Sequence, residues 1–239
     1  MPGGWRRPRA EVLYYDLHIH SALSPCAEDE MTPHNVCAMA ALKGLDLIAL
    51  TDHNAAGNLR SFEEAALARG LMFLPGIEVT TAEEVHILTY FPTVDAAEAM
   101  GAWCREQLMG QRNKPEFFGT QRLFGSRDEP RGEEEALLIG ALAADLGQVC
   151  KKARGLGGVP VPAHVFRSFG LMTVLGFFPA ESGFLTAETK PGEQLPAGMV
   201  ALHSSDAHTL GAIAEREHAL PVSARTNQAV LGFLLDHKV

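Results

Sequence analysis

Five short clusters of histidine and carboxylate constrain this chain most, because each stands at the end of an apolar run. They are Asp16-Leu17-His18-Ile19-His20-Ser21, Thr51-Asp52-His53-Asn54, Gly76-Ile77-Glu78-Val79-Thr80-Thr81, Ala163-His164-Val165 and Ser205-Asp206-Ala207-His208. Side chains alternate along a strand, so His18 and His20 point the same way and can grip one cation together. One His-x-His is a weak sign of a metal site; its recurrence in kind at four further strand ends is a strong one.

The runs between the clusters alternate in character. Val12–His20 reads as a strand, and Thr32-Pro33 as a helix start, with Thr as N-cap and Pro in the first turn. That helix ends at Gly44, and Leu45–Leu50 follows as a short buried strand. Residues 58–69 read as a helix, 71–79 and 85–91 as strands, and 94–109 as an amphipathic helix. Further on, 133–154 reads as a long helical region broken near 145–147. Residues 159–163, 184–188 and 199–203 read as strands, and 229–235 as a closing helix. Strand, helix and strand in repetition call for a parallel α/β architecture, although spacing alone does not separate an open sheet from a barrel. Residues 110–135 are polar, punctuated by Gly and Pro, and too long for an ordinary connector, so they read as an insertion able to cover a site.

With 239 residues and 46% hydrophobic content, the chain can bury the core of one domain over residues 11–239, behind a Pro/Gly/Arg-rich, flexible lead of ten residues. A net charge of −9 argues against binding a nucleic-acid polymer and favours a small anionic substrate. No apolar run approaches the ~20 residues that span a bilayer. Cys26, Cys37, Cys104 and Cys150 show no paired spacing, and no leader-like segment opens the chain, so a cytoplasmic location is expected.

In their order, the clusters resemble the motifs of the polymerase and histidinol phosphatase (PHP) family of metal-dependent phosphoesterases: His-x-His, Thr-Asp-His, a strand-end Glu, Ala-His and Asp-x-His. The resemblance runs from Tyr14 to His208. It implies a distorted seven-stranded (β/α) TIM-like barrel with parallel strands, its site at their C-terminal ends. It also implies two or three divalent transition metals. His18, His20, Glu78 and Asp206 would hold one, and Glu78 would bridge to a second completed by His86 and His164. His53 and His208 would hold a third, with a partner from the loop after His20. His86 lies early in its strand and is carried by the resemblance alone.

That loop departs from the family's simplest pattern, reading Ser24-Pro25-Cys26-Ala27-Glu28-Asp29. Counting from His18 reaches Pro25 or Cys26, and counting back from Thr32-Pro33 reaches Glu28. Both Cys26 and Glu28 therefore stand as ligand candidates, the carboxylate slightly favoured, with Asp29 next.

Mixed nitrogen and oxygen donors suit Zn, Mn or Fe better than Mg or Ca. Such a cluster can hydrolyse a phosphate ester, polarising the phosphoryl group and activating a water, with Glu78 and Asp206 at its centre. Arg167, three residues after His164, is the candidate clamp for phosphate oxygens. Asp52 is expected to orient a ligand imidazole. Asn54 and Thr80 are expected to line the pocket, and Glu188 stands between pocket wall and helix packing. His34, His203, His218 and His237 match no motif and read as structural or surface residues. The expected activity is that of a phosphomonoesterase acting on a small phosphorylated metabolite or nucleotide. An amidohydrolase is the rival enzyme, but many of these need a strand-end lysine, and none of Lys43, Lys114, Lys151, Lys152, Lys190 or Lys238 follows an apolar strand run. A non-catalytic metal-binding partner module is the other rival; degeneration usually removes ligands, and here the core ones are all present.

Overall fold

The computed structural model describes residues 11–237, so the ten-residue lead lies outside the described residues. Strands β1 (Glu11–Ile19), β2 (Leu47–Leu50) and β3 (Met72–Thr80) are parallel neighbours, linked by helices α1 (Pro33–Leu42) and α2 (Leu59–Leu67). β2 is buried at every position and β3 at all but its first, which is why both read as continuous apolar runs and not as alternation. α1 starts where its cap signal stands: the Thr32 side chain accepts the Asn35 N–H, and Pro33 needs no donor there.

β4 (His86–Tyr90) follows β3 across a connection of only five residues, too short for a crossover helix. It therefore returns antiparallel, with Thr80 opposite His86. Helix α3 (Val94–Gln107), the single turn α4 (Pro115–Phe118) and a hairpin of β5 (Arg122–Phe124) and β6 (Pro130–Glu133) come next. Helix α5 (Leu146–Gly155), β7 (Val159–Pro162), α6 (Leu171–Val174), β8 (Thr186–Glu188), β9 (Val200–Leu202), β10 (Ala219–Val222) and α7 (Asn227–Asp236) complete the order. β7 is antiparallel to β4 and so runs with β1–β3, while β10 pairs antiparallel with the other edge of β1.

The expected seven parallel strands are thus a curled, mixed sheet of six, in the order β10-β1-β2-β3-β4-β7, with β8 and β9 as a separate parallel pair. No ladder joins β9 to β1. Ser205 Oγ donates to Asp16 (2.6 Å), the Leu17 N–H donates to Ser204 Oγ (3.2 Å), and one bridge pairs Ile19 with Ala207.

The long helical region expected over 133–154 shrinks to α5, opened by a capping box between Asp145 and Gln148. Residues 134–140 have the composition of a helix but are held as an irregular segment ending in a turn by two side chains distant in sequence. Gln121 bonds Glu134 O, Ala136 O and the Leu138 N–H, and Asn54 Nδ2 donates to Leu138 O and Gly140 O. The 110–135 segment carries its own short elements and is docked: Ser61 Oγ donates to Phe124 O, and the hairpin's Asp128 accepts from Thr32 Oγ1 and the His34 N–H.

One core, with Ile48, Phe62, Phe73 and Ile87, lies between the sheet and its helices; a second, with Leu13, Leu17, Leu74 and Phe233, fills the other face. With both faces covered, polar side chains gather at the strand ends. Among the described residues, no helix is long and apolar enough to cross a membrane.

Candidate metal centre

Glu78, buried at the end of β3, is the centre of the site. Five imidazoles face its carboxylate: His18 at 3.4 Å, His20 at 3.3 Å, His53 at 3.1 Å, His86 at 3.0 Å and His164 at 3.1 Å. The Nε2 atoms of His18 and His20 lie 3.1 Å apart, and Asp206 Oδ1 is 3.3 Å from the first and 3.4 Å from the second. The His208 ring stacks on that of His20, with centroids 4.2 Å apart. His86 joins the set because β4 is antiparallel: the beginning of that strand lies at the same sheet edge as the ends of β1–β3.

Two of these imidazoles are oriented by identifiable partners. His18 Nδ1 is 2.6 Å from Glu188 Oε2, a carboxylate that only accepts, so in the neutral ring Nδ1 carries the proton and Nε2 the lone pair. Ser24 Oγ donates to Asp52 (2.7 Å), so it accepts from His20 Nδ1 (2.9 Å), again leaving Nε2 bare. Asp52 is itself fastened by the Ser21 N–H and hydroxyl. It therefore acts on His20 through Ser24, not on its chain neighbour His53. Asn54 is spent inside the fold, accepting the Thr80 N–H while it holds 138–140, whereas Thr80 does reach a cavity wall.

Three groups of ligand atoms lie within 4.8 Å of one another: His18, His20 and Glu78; His53, Glu78 and His86; and His20, His53 and His208. The electrostatics suit cations at their centres. Burial would hold His18 and His20 neutral, but carboxylates outweigh it, Glu188, Glu78 and Asp206 driving His18 well above the ordinary imidazole range, and Asp206 and Glu78 raising His20 to about 9. Burial would likewise raise Glu78, yet His86, His18 and His53 hold it well below the usual carboxylate range. His53 goes the other way, held well below the imidazole range by burial and by the neighbouring imidazoles. Buried His53 Nδ1 and Glu78 Oε2 make no hydrogen bond although 3.1 Å apart. Lone pairs set against lone pairs, with nitrogen and oxygen donors mixed, fit a divalent transition metal.

A cavity of about 290 Å³ opens over Glu78 between His53, His86, His164 and His208, with Asp206 and Arg167 on its far side. Arg167 Nη2 donates to Asp206 Oδ2 at 3.0 Å. His164 and Asp206 have left-handed backbone, at φ +26° and +57°, a strain that side chains other than glycine tolerate only where the surroundings impose it. Cys26 and Glu28 are exposed and enter none of the three groups, although the Glu28 N–H donates to His208 O, which sets their turn beside that histidine. Asp29 is engaged by Thr120 and Arg122 of the 110–135 segment. His34, His203 and His237 bond elsewhere, to Arg69, Thr189 O and Leu185 O.

Glu188 is the site residue that sequence reasoning left open, and its signal was the one that marked the others, an acid at the end of a strand. Glu188→Gln is expected to weaken metal affinity or activity by about 10–100-fold, as for other lost ligand-orienting carboxylates. Titration of metal into the variant checks this, and an unchanged affinity and rate would remove the role.

A half-barrel with imidazoles and carboxylates converging at one mouth defines a metal-binding α/β domain. Residues 16–144, more than half of the chain, match the PHP domain, and the chain belongs to that family. A 3',5'-nucleoside bisphosphate phosphatase from Chromobacterium violaceum is 42% identical over 76 residues, 30% of this chain and 26% of that protein, so the match spans about a quarter of the relative's length. In fold, the chain is similar to the lesion-specific endonuclease PfuEndoQ from Pyrococcus furiosus, with a TM-score of 0.64 and 18% identity over 94% of this chain and 56% of that one. It is also similar to an amidohydrolase from Chromobacterium violaceum determined with bound sulfate and no metal, with a TM-score of 0.60 and 22% identity over 92% and 96%. At these identities the structural likeness is one of fold alone.

Proposed function

We propose that the chain is a metal-dependent phosphoesterase that hydrolyses the monoester of a small phosphorylated metabolite or nucleotide. The observation that carries this reading is the convergence of the ligand set and Arg167 on one cavity. His18, His20, Glu78 and Asp206 would hold one cation, and Glu78, His86 and His164 a second. His53 and His208 would hold a third, with Glu28, or Cys26 in its place, supplied by the adjoining turn. Divalent cations, when bound, neutralise phosphoryl oxygens and supply an activated water.

The chain's own contributions follow from the geometry. Glu188 and the Asp52–Ser24 pair hold two imidazoles in the tautomer that presents Nε2. Asp206 tethers the Arg167 guanidinium by one nitrogen, and the rest of the fork is free to take phosphoryl oxygens. Among the described residues Arg167 is the one lysine or arginine lining the cavity, and the net charge is −9; both favour a small ester over a nucleic-acid polymer. Among the described residues no lysine lines that cavity, which disfavours the amidohydrolase reading, and Lys43 is engaged elsewhere by Gly211 O, Ile213 O and Glu215.

Purified protein is expected to carry two or three transition-metal ions per chain and to hydrolyse a chromogenic phosphomonoester with Mn²⁺ or Zn²⁺. A well-folded, metal-free protein with no rate above background after addition of either ion would overturn the reading.

A further inference from the structure

Next to the metal cavity lies a second one of about 400 Å³, and Phe169 lines both. That volume is within the range of about 300–1,000 Å³ usual for small-molecule sites. Its walls are mainly apolar: Met109 just past the end of α3, Phe118 from α4, Leu137 and Ile139 from the irregular 134–140 segment, and Phe169. We propose that this cavity is the leaving-group subsite of the same active centre and takes the base of a mononucleotide whose phosphate lies in the metal cavity. The proposal rests on the phosphoesterase reading above and deepens it.

Phe169 is the first support. It is 46% exposed, its backbone is left-handed at φ +60°, and its ring lies flat on that of His86, at 4.9 Å between centroids and 8° between planes. A bulky residue in that conformation is costly unless its surroundings impose it. Here the tight loop does so, through the Phe169 O to His86 N–H bond and the Gly170 N–H to Arg167 O bond. Its effect is to stand a flat apolar face between the catalytic cavity and the second one. A nucleobase is a flat ring, and stacking on aromatic faces is how proteins hold one without regard to its sequence identity.

The polar inventory is the second support. Thr80 lines the second cavity, is 3% exposed, and its hydroxyl has no partner. That hydroxyl is itself buried, so the polar side chains that a base can meet on these walls are those of Gln111 and Glu84. Among the described residues Glu84 is the one charged side chain on the walls, able to accept from an exocyclic amino group. None of the described lining residues is a lysine or arginine, so none of them offers a second phosphate a counter-charge. An uncharged ring carrying a few hydrogen-bonding groups matches these walls, and a polyol or a sugar phosphate does not.

The test compares kcat/KM for adenosine monophosphates, the better of the 3′ and 5′ esters, with that for glycerol phosphate and phenyl phosphate. The wild-type protein is expected to favour the nucleotide by about tenfold or more, and Phe118→Ala and Met109→Glu are each expected to cut that ratio by about tenfold, the scale of one lost base-stacking contact. Both positions are exposed enough to keep the fold, at 40% and 68%. Hydrolysis of all three esters with no nucleotide preference, a preference matched by phenyl phosphate, or a ratio unchanged in both variants would overturn the subsite while leaving the phosphoesterase reading in place. A stronger preference for a 5′-phosphorylated oligonucleotide over the mononucleotide would overturn it too. If no phosphate ester is hydrolysed, ligand-observed NMR with adenosine decides. Binding that weakens in Phe118→Ala upholds the subsite although the phosphoesterase reading has failed, and no binding to the wild-type protein overturns it.

Discussion

Glu78→Gln is expected to lower phosphomonoester hydrolysis by more than about 10³-fold, exceeding Arg167→Ala, whose loss should stay near the 10²–10³-fold of one missing transition-state donor. The two residues sit differently in the site. Arg167 lines the cavity and is tied to the centre through one nitrogen, hydrogen-bonded to Asp206 and 3.7 Å from Glu188. Glu78 is faced by five imidazoles within 3.4 Å, and its two oxygens serve different members of that set: Oε1 faces His18, His86 and His164, and Oε2 faces His20 and His53. Glutamine keeps the shape but replaces one oxygen with an NH₂ that can only donate, and it removes the charge that the surrounding imidazoles hold in place. Two proposed metal positions would then lose a ligand at once. Steady-state rates at saturating Mn²⁺, with ions per chain measured on the same samples, check this. Equal rate losses in the two variants, with metal content intact in Glu78→Gln, would mean that the carboxylate does not bridge.

Removing metal is expected to destabilise the protein strongly. A ligand that binds only the folded state at 1,000 times its Kd stabilises it by about 4 kcal/mol per site. For a chain of this size each kcal/mol moves Tm by about 2–4 °C. Chelation should therefore lower Tm by about 10 °C or more, and Mn²⁺ or Zn²⁺ should restore it. The gap should also depend on pH, with a definite sign. In the metal-free protein His20 is raised to about 9 from an ordinary 6.5, so its protonation contributes fully below 6.5 and is lost as pH rises through about 9. Metal needs the unprotonated Nε2 and gains affinity over the same range. The interval between metal-loaded and metal-free Tm should widen from pH 6 to pH 9. Calorimetric scans that show no effect of chelator or added ion at any pH in that range would rule out a metal centre at these residues.

Most positions of the candidate site were legible in the sequence because their placement is local. His18, His20, Asp52, His53, Glu78 and His164 each end an apolar run, and a strand buried on both faces exposes its polar groups only at its ends. The cap of α1 at Thr32-Pro33 was legible for the same reason, since its hydrogen bond joins residues three apart. Their order carried the resemblance to the PHP family, which the match over residues 16–144 bears out.

What remained closed to sequence reading depended on partners far along the chain. The place of His86 follows from the direction of β4, which a five-residue turn reverses. β10 is four residues long and takes its strand character from pairing with β1, more than two hundred positions away. Residues 134–140 carry helical composition, yet Gln121 and Asn54 supply backbone partners that an isolated helix would have to forgo. Glu188 was one acid at a weak strand's end until folding set it 2.6 Å from His18, 170 residues earlier. Sequence alone marked side chains able to coordinate a cation and placed most of them at strand ends, because apolar periodicity and capping act over a few residues. Tertiary structure alone decided strand direction, the tautomers of His18 and His20 and the second cavity beside the site, because each is set by contacts whose partners the chain brings together only on folding.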